Sequence, residues 1–134
     1  MRPGSFEHVR AERLAAEVGT IHKQATRAIA LCYPSPYAVG MSSLGFQTVY
    51  RLLNGMPDVA AERAFLPDDA AAARVAREPL RTYESARPVG DFSIVAFSLA
   101  YELELAAWST AWTCPASRRS RTSAPMSAAA ARSR

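Results

Sequence analysis

The 134-residue sequence predicts an α/β fold, a Rossmann-like parallel sheet with flanking helices, incomplete and followed by a disordered C-terminal tail. Three observations predict it. Short apolar runs of the kind buried on both faces of a sheet occur at Ala28–Cys32 and Phe92–Phe97. Segments with helical periodicity lie between such runs, and strands separated by helices need crossovers, which favours parallel pairing. The composition changes abruptly after Trp108.

In chain order, Phe6–Val18 reads as a short helix capped by Ser5, with Val9, Leu14 and Val18 as a weak apolar stripe. Ala28–Cys32 is the first strand. A loop rich in Pro, Gly and Ser follows, containing Pro34, Pro36, Gly40 and the capping hydroxyls Ser42 and Ser43. Leu44–Leu53 then places Phe46, Val49, Tyr50 and Leu53 on one helical face, and Asn54-Gly55 is a left-handed stop signal. Ala61–Leu66 is the second strand. Asp68-Asp69 precedes an alanine-rich helix running to about Arg77, with both carboxylates at the favourable end of its dipole. Glu78-Pro79 breaks that helix, Leu80–Glu84 is a short extended piece, and Arg87–Asp91 is a turn. Phe92–Phe97 is the third strand, and Ser98–Trp108 begins another helix.

Charge separates the globular part from the tail. Residues 1–108 hold 11 Lys plus Arg and 12 Asp plus Glu, whereas residues 109–134 hold five Arg and no acid. The basic excess therefore lies wholly in the tail, and a slightly acidic globular part argues against nucleic acid as a partner. The tail contains seven Ala and six Ser but no Leu, Ile or Val, too little apolar surface to offset chain entropy. Its composition is what GC-rich DNA yields out of frame, so a frameshifted or truncated product is expected. The organisation expected is a helical lead-in over 1–27, a partial Rossmann-like domain over 28–108 and the tail over 109–134.

Two cysteines, Cys32 and Cys114, make a disulfide framework improbable, and there is no CxxxCxxC. A cytoplasmic location is expected, with no membrane span and no secretory leader. The loop lacks GxGxxG, Gly-Lys-Ser/Thr and GxSxG, which sets aside dinucleotide, phosphate-loop and serine-nucleophile chemistry. His8 and His22 are too far apart in sequence for a paired metal site and read as surface residues. Glu102 and Glu104, two apart on a helix, point in different directions. Tyr33, Tyr37 and Tyr101 fall near strand ends, where rings can flank a flat ligand, although half-buried packing is the commoner role. In open α/β sheets the ligand crevice lies outside the carboxyl ends of the strands, so Tyr33–Asn54 marks the place to look.

The run Ile29–Asn54, with ERAFLPDD at Glu62–Asp69, TYES at Thr82–Ser85 and FSIVAFSLAYELEL at Phe92–Leu105, resembles the N-terminal domain of cobalamin-binding radical SAM proteins. The likeness covers most of residues 28–106. It implies a cobalamin-binding-type Rossmann domain that precedes a radical SAM barrel, where S-adenosylmethionine and a [4Fe-4S] cluster act. Neither motif for that barrel is in these residues, so the fragment alone is expected to be non-catalytic. By the resemblance, Tyr37, Gly40, Ser42, Ser43, Ser98 and Tyr101 would line a cofactor site. The histidine-ligating cobalamin pattern, Asp-x-His-x-x-Gly, stands here as Ser35, Tyr37 and Gly40. Cobalamin would therefore be held without a histidine ligand from this chain, a neutral phenol being a poor substitute for imidazole. The expected partners are a small-molecule cofactor and the barrel. The alternative is a packing or interaction module that binds no cofactor.

Overall fold

The computed structural model of the chain describes residues 4–99 and Ala106. Of the helix expected over Ser98–Trp108, Ser98 and Leu99 are not helical, Ala106 is, and the rest lies outside the described residues, as do Tyr101, Glu102, Glu104 and the tail. The elements are α1 (Phe6–Ala16), β1 (Arg27–Pro36), α2 (Tyr37–Ser42), α3 (Leu44–Gly55), β2 (Val59–Leu66), α4 (Ala70–Val75), a single 3₁₀ turn at Val89–Asp91, and β3 (Ile94–Phe97). The three strands form one parallel sheet in the order β2-β1-β3, the expected α/β, Rossmann-like layer.

Alternation along the strands sorts the core into two layers. Leu31 and Tyr33 of β1 and Ala61 and Phe65 of β2 face Phe46 and Tyr50 of α3, with Tyr83 added from the β2–β3 connection. On the opposite face Ala30, Cys32 and Ala64 lie beneath Val89 and Phe92. The helical face read from the sequence is therefore the buried face of α3 at Phe46, Tyr50 and Leu53, while Val49 stays largely exposed. Burying a side chain the size of Phe46 contributes about 1.5–3 kcal/mol.

Four local expectations are corrected. The Pro/Gly/Ser stretch is not an open loop: β1 continues to Pro36 and Tyr37–Ser42 forms α2. The register shifts between Tyr33 and Pro36, so β1 bulges at its carboxyl end, where proline costs no central ladder bond. The helix stops at Asn54-Gly55 as expected, but not through a left-handed residue: α3 runs to Gly55 and its cap Met56 is extended. Leu80–Glu84 contributes only one antiparallel bridge, Arg81 to Pro88. Val18 does not join a stripe: α1 ends at Ala16 and Val18 is exposed. Of the caps read, Ser5 accepts from the His8 amide and Ser43 from that of Phe46, whereas Ser42 lies inside α2 and donates to Val39; Asp69, read only as a charge on the dipole, caps α4 by accepting from Ala72.

The outer edge of β2 is closed by side chains and one connecting segment. The Asn54 carboxamide accepts from the Ala61 amide at 3.0 Å and donates to the Ala61 carbonyl at 3.1 Å. Two residues on, the Arg63 amide donates to Glu84 at 2.6 Å and the Arg63 carbonyl accepts from Tyr83 at 2.7 Å. An edge satisfied in this way offers no template for another strand. Among the described residues the other edge of the sheet is β3, where Ile94 and Phe97, on opposite faces, are each more than two-fifths exposed.

Candidate functional site

With β2 on one side of β1 and β3 on the other, chain direction across the sheet reverses at β1, the switch point where open α/β sheets hold ligands. β3 ends there beside the middle of β1, which runs on to Pro36 and pairs with the end of β2 at Leu66. Cys32 pairs with Phe97, and the Ser98 amide carries the ladder one step further by donating to the Cys32 carbonyl at 2.9 Å. Ser98 is partly exposed. Beneath it the Cys32 thiol is fully buried, and burial pushes its pKa up to about 12, so it is an inert apolar filler.

Tyr37 and Gly40 lie on the β2 side of the same end. The Tyr37 ring stacks on Tyr83, with centroids 5.1 Å apart, and meets the edge of Phe65. The Arg13 guanidinium covers it at 4.8 Å, and its hydroxyl donates to Glu17 at 3.1 Å. Burial, and then the Glu17 carboxylate, pushes the phenol pKa up to about 12. Both the ring and the hydroxyl are therefore engaged inside the fold, and the group is neutral. Gly40 is a close-approach glycine: a Cβ there would lie 2.4 Å from Phe65 Cε1 and 3.2 Å from Tyr33 Cδ1. The space that its missing side chain leaves is filled by an aromatic ring.

Ser42 and Ser43 mark the α2–α3 junction. The exposed Ser42 hydroxyl donates to the Val39 carbonyl at 2.7 Å, while Ser43 caps α3. The structure thus places Tyr37 and Gly40 together over Phe65, leaves the two serines at the helix junction, and puts Ser98 apart from them beside Cys32. His8 pairs with Glu12 on α1, and no group of three or more His, Cys, Asp or Glu able to hold a metal occurs among the described residues.

A buried ionic knot beside Tyr37 is not singled out by the sequence reading. Arg63 is wholly buried; its Nε donates to Glu84 at 2.6 Å and its Nη1 to Glu17, while its guanidinium lies 4.5 Å above the Tyr50 ring. Burial alone would lower the guanidinium pKa, and the two carboxylates outweigh it. Burial holds the Glu84 carboxyl above its usual range against the opposing pull of Arg63. The knot explains two sequence runs at once. Glu62 accepts from Thr82 and Ser85, Arg63 holds Glu84, and Phe65 meets Tyr83 edge-on at 5.2 Å, so ERAFLPDD and TYES are two halves of one interlock. The signal in the sequence was period two: Arg63 shares the strand face of Ala61 and Phe65, and a charge on an apolar face requires partners.

A parallel three-stranded layer with its switch point at the β1 and β3 ends defines a Rossmann-like module. Residues 45–112, just over half of the chain, match the family model for radical SAM proteins, N-terminal. The chain belongs to this family. No curated protein and no solved structure matches it. Among the described residues no helix is long and apolar enough to cross a membrane.

Proposed function

We propose that the chain is the cobalamin-binding-like N-terminal module of a radical SAM protein, cytoplasmic and non-catalytic by itself, with a corrinoid seated against the carboxyl ends of β1 and β3. The switch point between β1 and β3 carries the reading, with Ser98 following β3 beside Cys32. Ser98 and Tyr101 form the proposed set, since the Ser42 and Ser43 hydroxyls are engaged at the α2–α3 junction. Bound cobalamin would supply cobalt chemistry to the radical SAM barrel, whose [4Fe-4S] cluster and S-adenosylmethionine belong to the rest of the architecture. Tyr37 does not fit the role of axial ligand, since its hydroxyl is already committed to Glu17 and its phenol stays protonated. The corrinoid is therefore held by contacts to its periphery and nucleotide tail.

A second reading, a packing module that binds no cofactor, is favoured by one observation: Tyr37 and Gly40 are both spent on Phe65. Titration of the chain with hydroxocobalamin, followed by gel filtration and absorption spectroscopy, separates the two. Our reading expects co-eluting corrinoid whose spectrum shows no protein nitrogen on cobalt. Corrinoid that never co-elutes establishes the packing module instead.

A further inference from the structure

We infer that the N-terminal helix α1 is a detachable strap, hinged at Gly19, that clasps the α2 flank of the sheet through charged contacts and opens without unfolding the sheet. The inference goes beyond the proposed function and holds whether or not a corrinoid binds. Its first support is that α1 contains no buried residue; its apolar hold is limited to partly buried Phe6, edge-on to Tyr83 at 5.7 Å, and Leu14.

What holds α1 is polar and concentrated at three side chains. Arg10 donates to the carbonyls of Tyr83 and Glu84, the latter at 2.6 Å. Arg13 donates to the Tyr83 hydroxyl at 2.6 Å and pairs with Asp68. Glu17, just past the helix, accepts from Arg63 and from Tyr37.

The chain is anchored again directly after Glu17, which places the hinge. The backbone of Ile21 both donates to and accepts from the Tyr50 hydroxyl, at 2.9 and 3.3 Å, and Lys23 donates to the carbonyls of Asn54 and Met56 at the end of α3. Between these fixed points Gly19 has φ +99°, a backbone state that side-chain-bearing residues rarely adopt, and nothing lies within 4 Å of where its Cβ would be. When the strap opens, it uncovers the Tyr37 and Tyr83 rings and releases Nη1 of Arg63, whose Nη2 is already buried without a hydrogen-bond partner. Arg63 keeps Glu84, so the sheet retains one half of the knot.

Hydrogen–deuterium exchange on the full chain tests the strap, with Gly19→Ala and Glu17→Gln as variants. Gly19→Ala strains the hinge while leaving every strap contact in place, so it remains informative if the buried charge change in Glu17→Gln proves too disruptive. The strap expects α1 amides from Val9 to Ala16 to exchange faster than β1 amides from Ile29 to Tyr33 in the unaltered chain. In Gly19→Ala the α1 amides should exchange about tenfold faster still, with β1 unchanged. Exchange of α1 and β1 in step, or α1 exchange unaltered by Gly19→Ala, would overturn it.

Discussion

Gly40 shows how a single residue can carry a packing decision that resembles a binding decision. A Cβ added there would meet Phe65, itself hemmed in by Phe46, Tyr37 and Tyr83, so the ring has little room to yield. Gly40→Ala should therefore destabilise the chain by about 1–3 kcal/mol of overpacking, reduced by up to about 1 kcal/mol of gained helix propensity. Chemical denaturation, comparing midpoints at equal slope, measures it. A stabilised variant would mean that the α2–β2 approach is looser than the structure has it. The residue itself was legible as a glycine in a loop beside a strand. Its reason was not, because Phe65 lies 25 positions away and only pairing of β1 with β2 brings the two together.

Arg63 is the harder case at the same scale. In sequence the second strand reads as an apolar run with a charged pair inside it, and nothing local says that Glu84 and Glu17 will converge on the arginine from opposite directions. Partners 21 and 46 residues away are set by topology. Exposed charges can be solvated, but this one is wholly buried, so the fold had to bring it carboxylates.

Among the elements, α3 was the most legible, because three of four apolar residues at helical spacing, Phe46, Tyr50 and Leu53, lie on its buried face, while Val49 is exposed. The end of α3 was misread for a physical reason. Asn and Gly together favour a left-handed stop, yet Asn54 is worth more to the fold as a helical residue whose carboxamide closes the β2 edge at Ala61. Asn54→Ala strands the Ala61 amide and carbonyl, and leaving buried groups unsatisfied costs about 1–3 kcal/mol each. Thermal unfolding of that variant should show a clear loss of stability, and a midpoint unchanged from the unaltered chain would contradict this account of the edge. Helix α2 was illegible on similar grounds. Two prolines, a glycine and two serines signal a loop locally, while the packing of Gly40 against Phe65 and Tyr33 pulls Tyr37–Ser42 into a helical turn.

For the molecule as a whole, the strand order follows from which edge is closed. Among the described residues the β2 edge is partnered at Ala61 and Arg63 by Asn54, Tyr83 and Glu84, and β3 is the opposite edge of the sheet. That order places the switch point between β1 and β3. It also divides the site residues read from the sequence: Tyr37 and Gly40 belong to the internal packing over β2, and Ser98 lies apart from them beside Cys32. The family motifs were visible from the start, but this division needed the sheet order, which periodicity does not specify.

The central claim is that a corrinoid sits at the β1 and β3 ends without using Tyr37. Its most direct test compares hydroxocobalamin affinity in Ser98→Trp and Tyr37→Phe, each shown first to unfold cooperatively. The claim predicts that the bulky Ser98→Trp weakens binding by about tenfold or more, the equivalent of roughly 1.4 kcal/mol, while Tyr37→Phe leaves it within about twofold. Binding lost in Tyr37→Phe and kept in Ser98→Trp would contradict it.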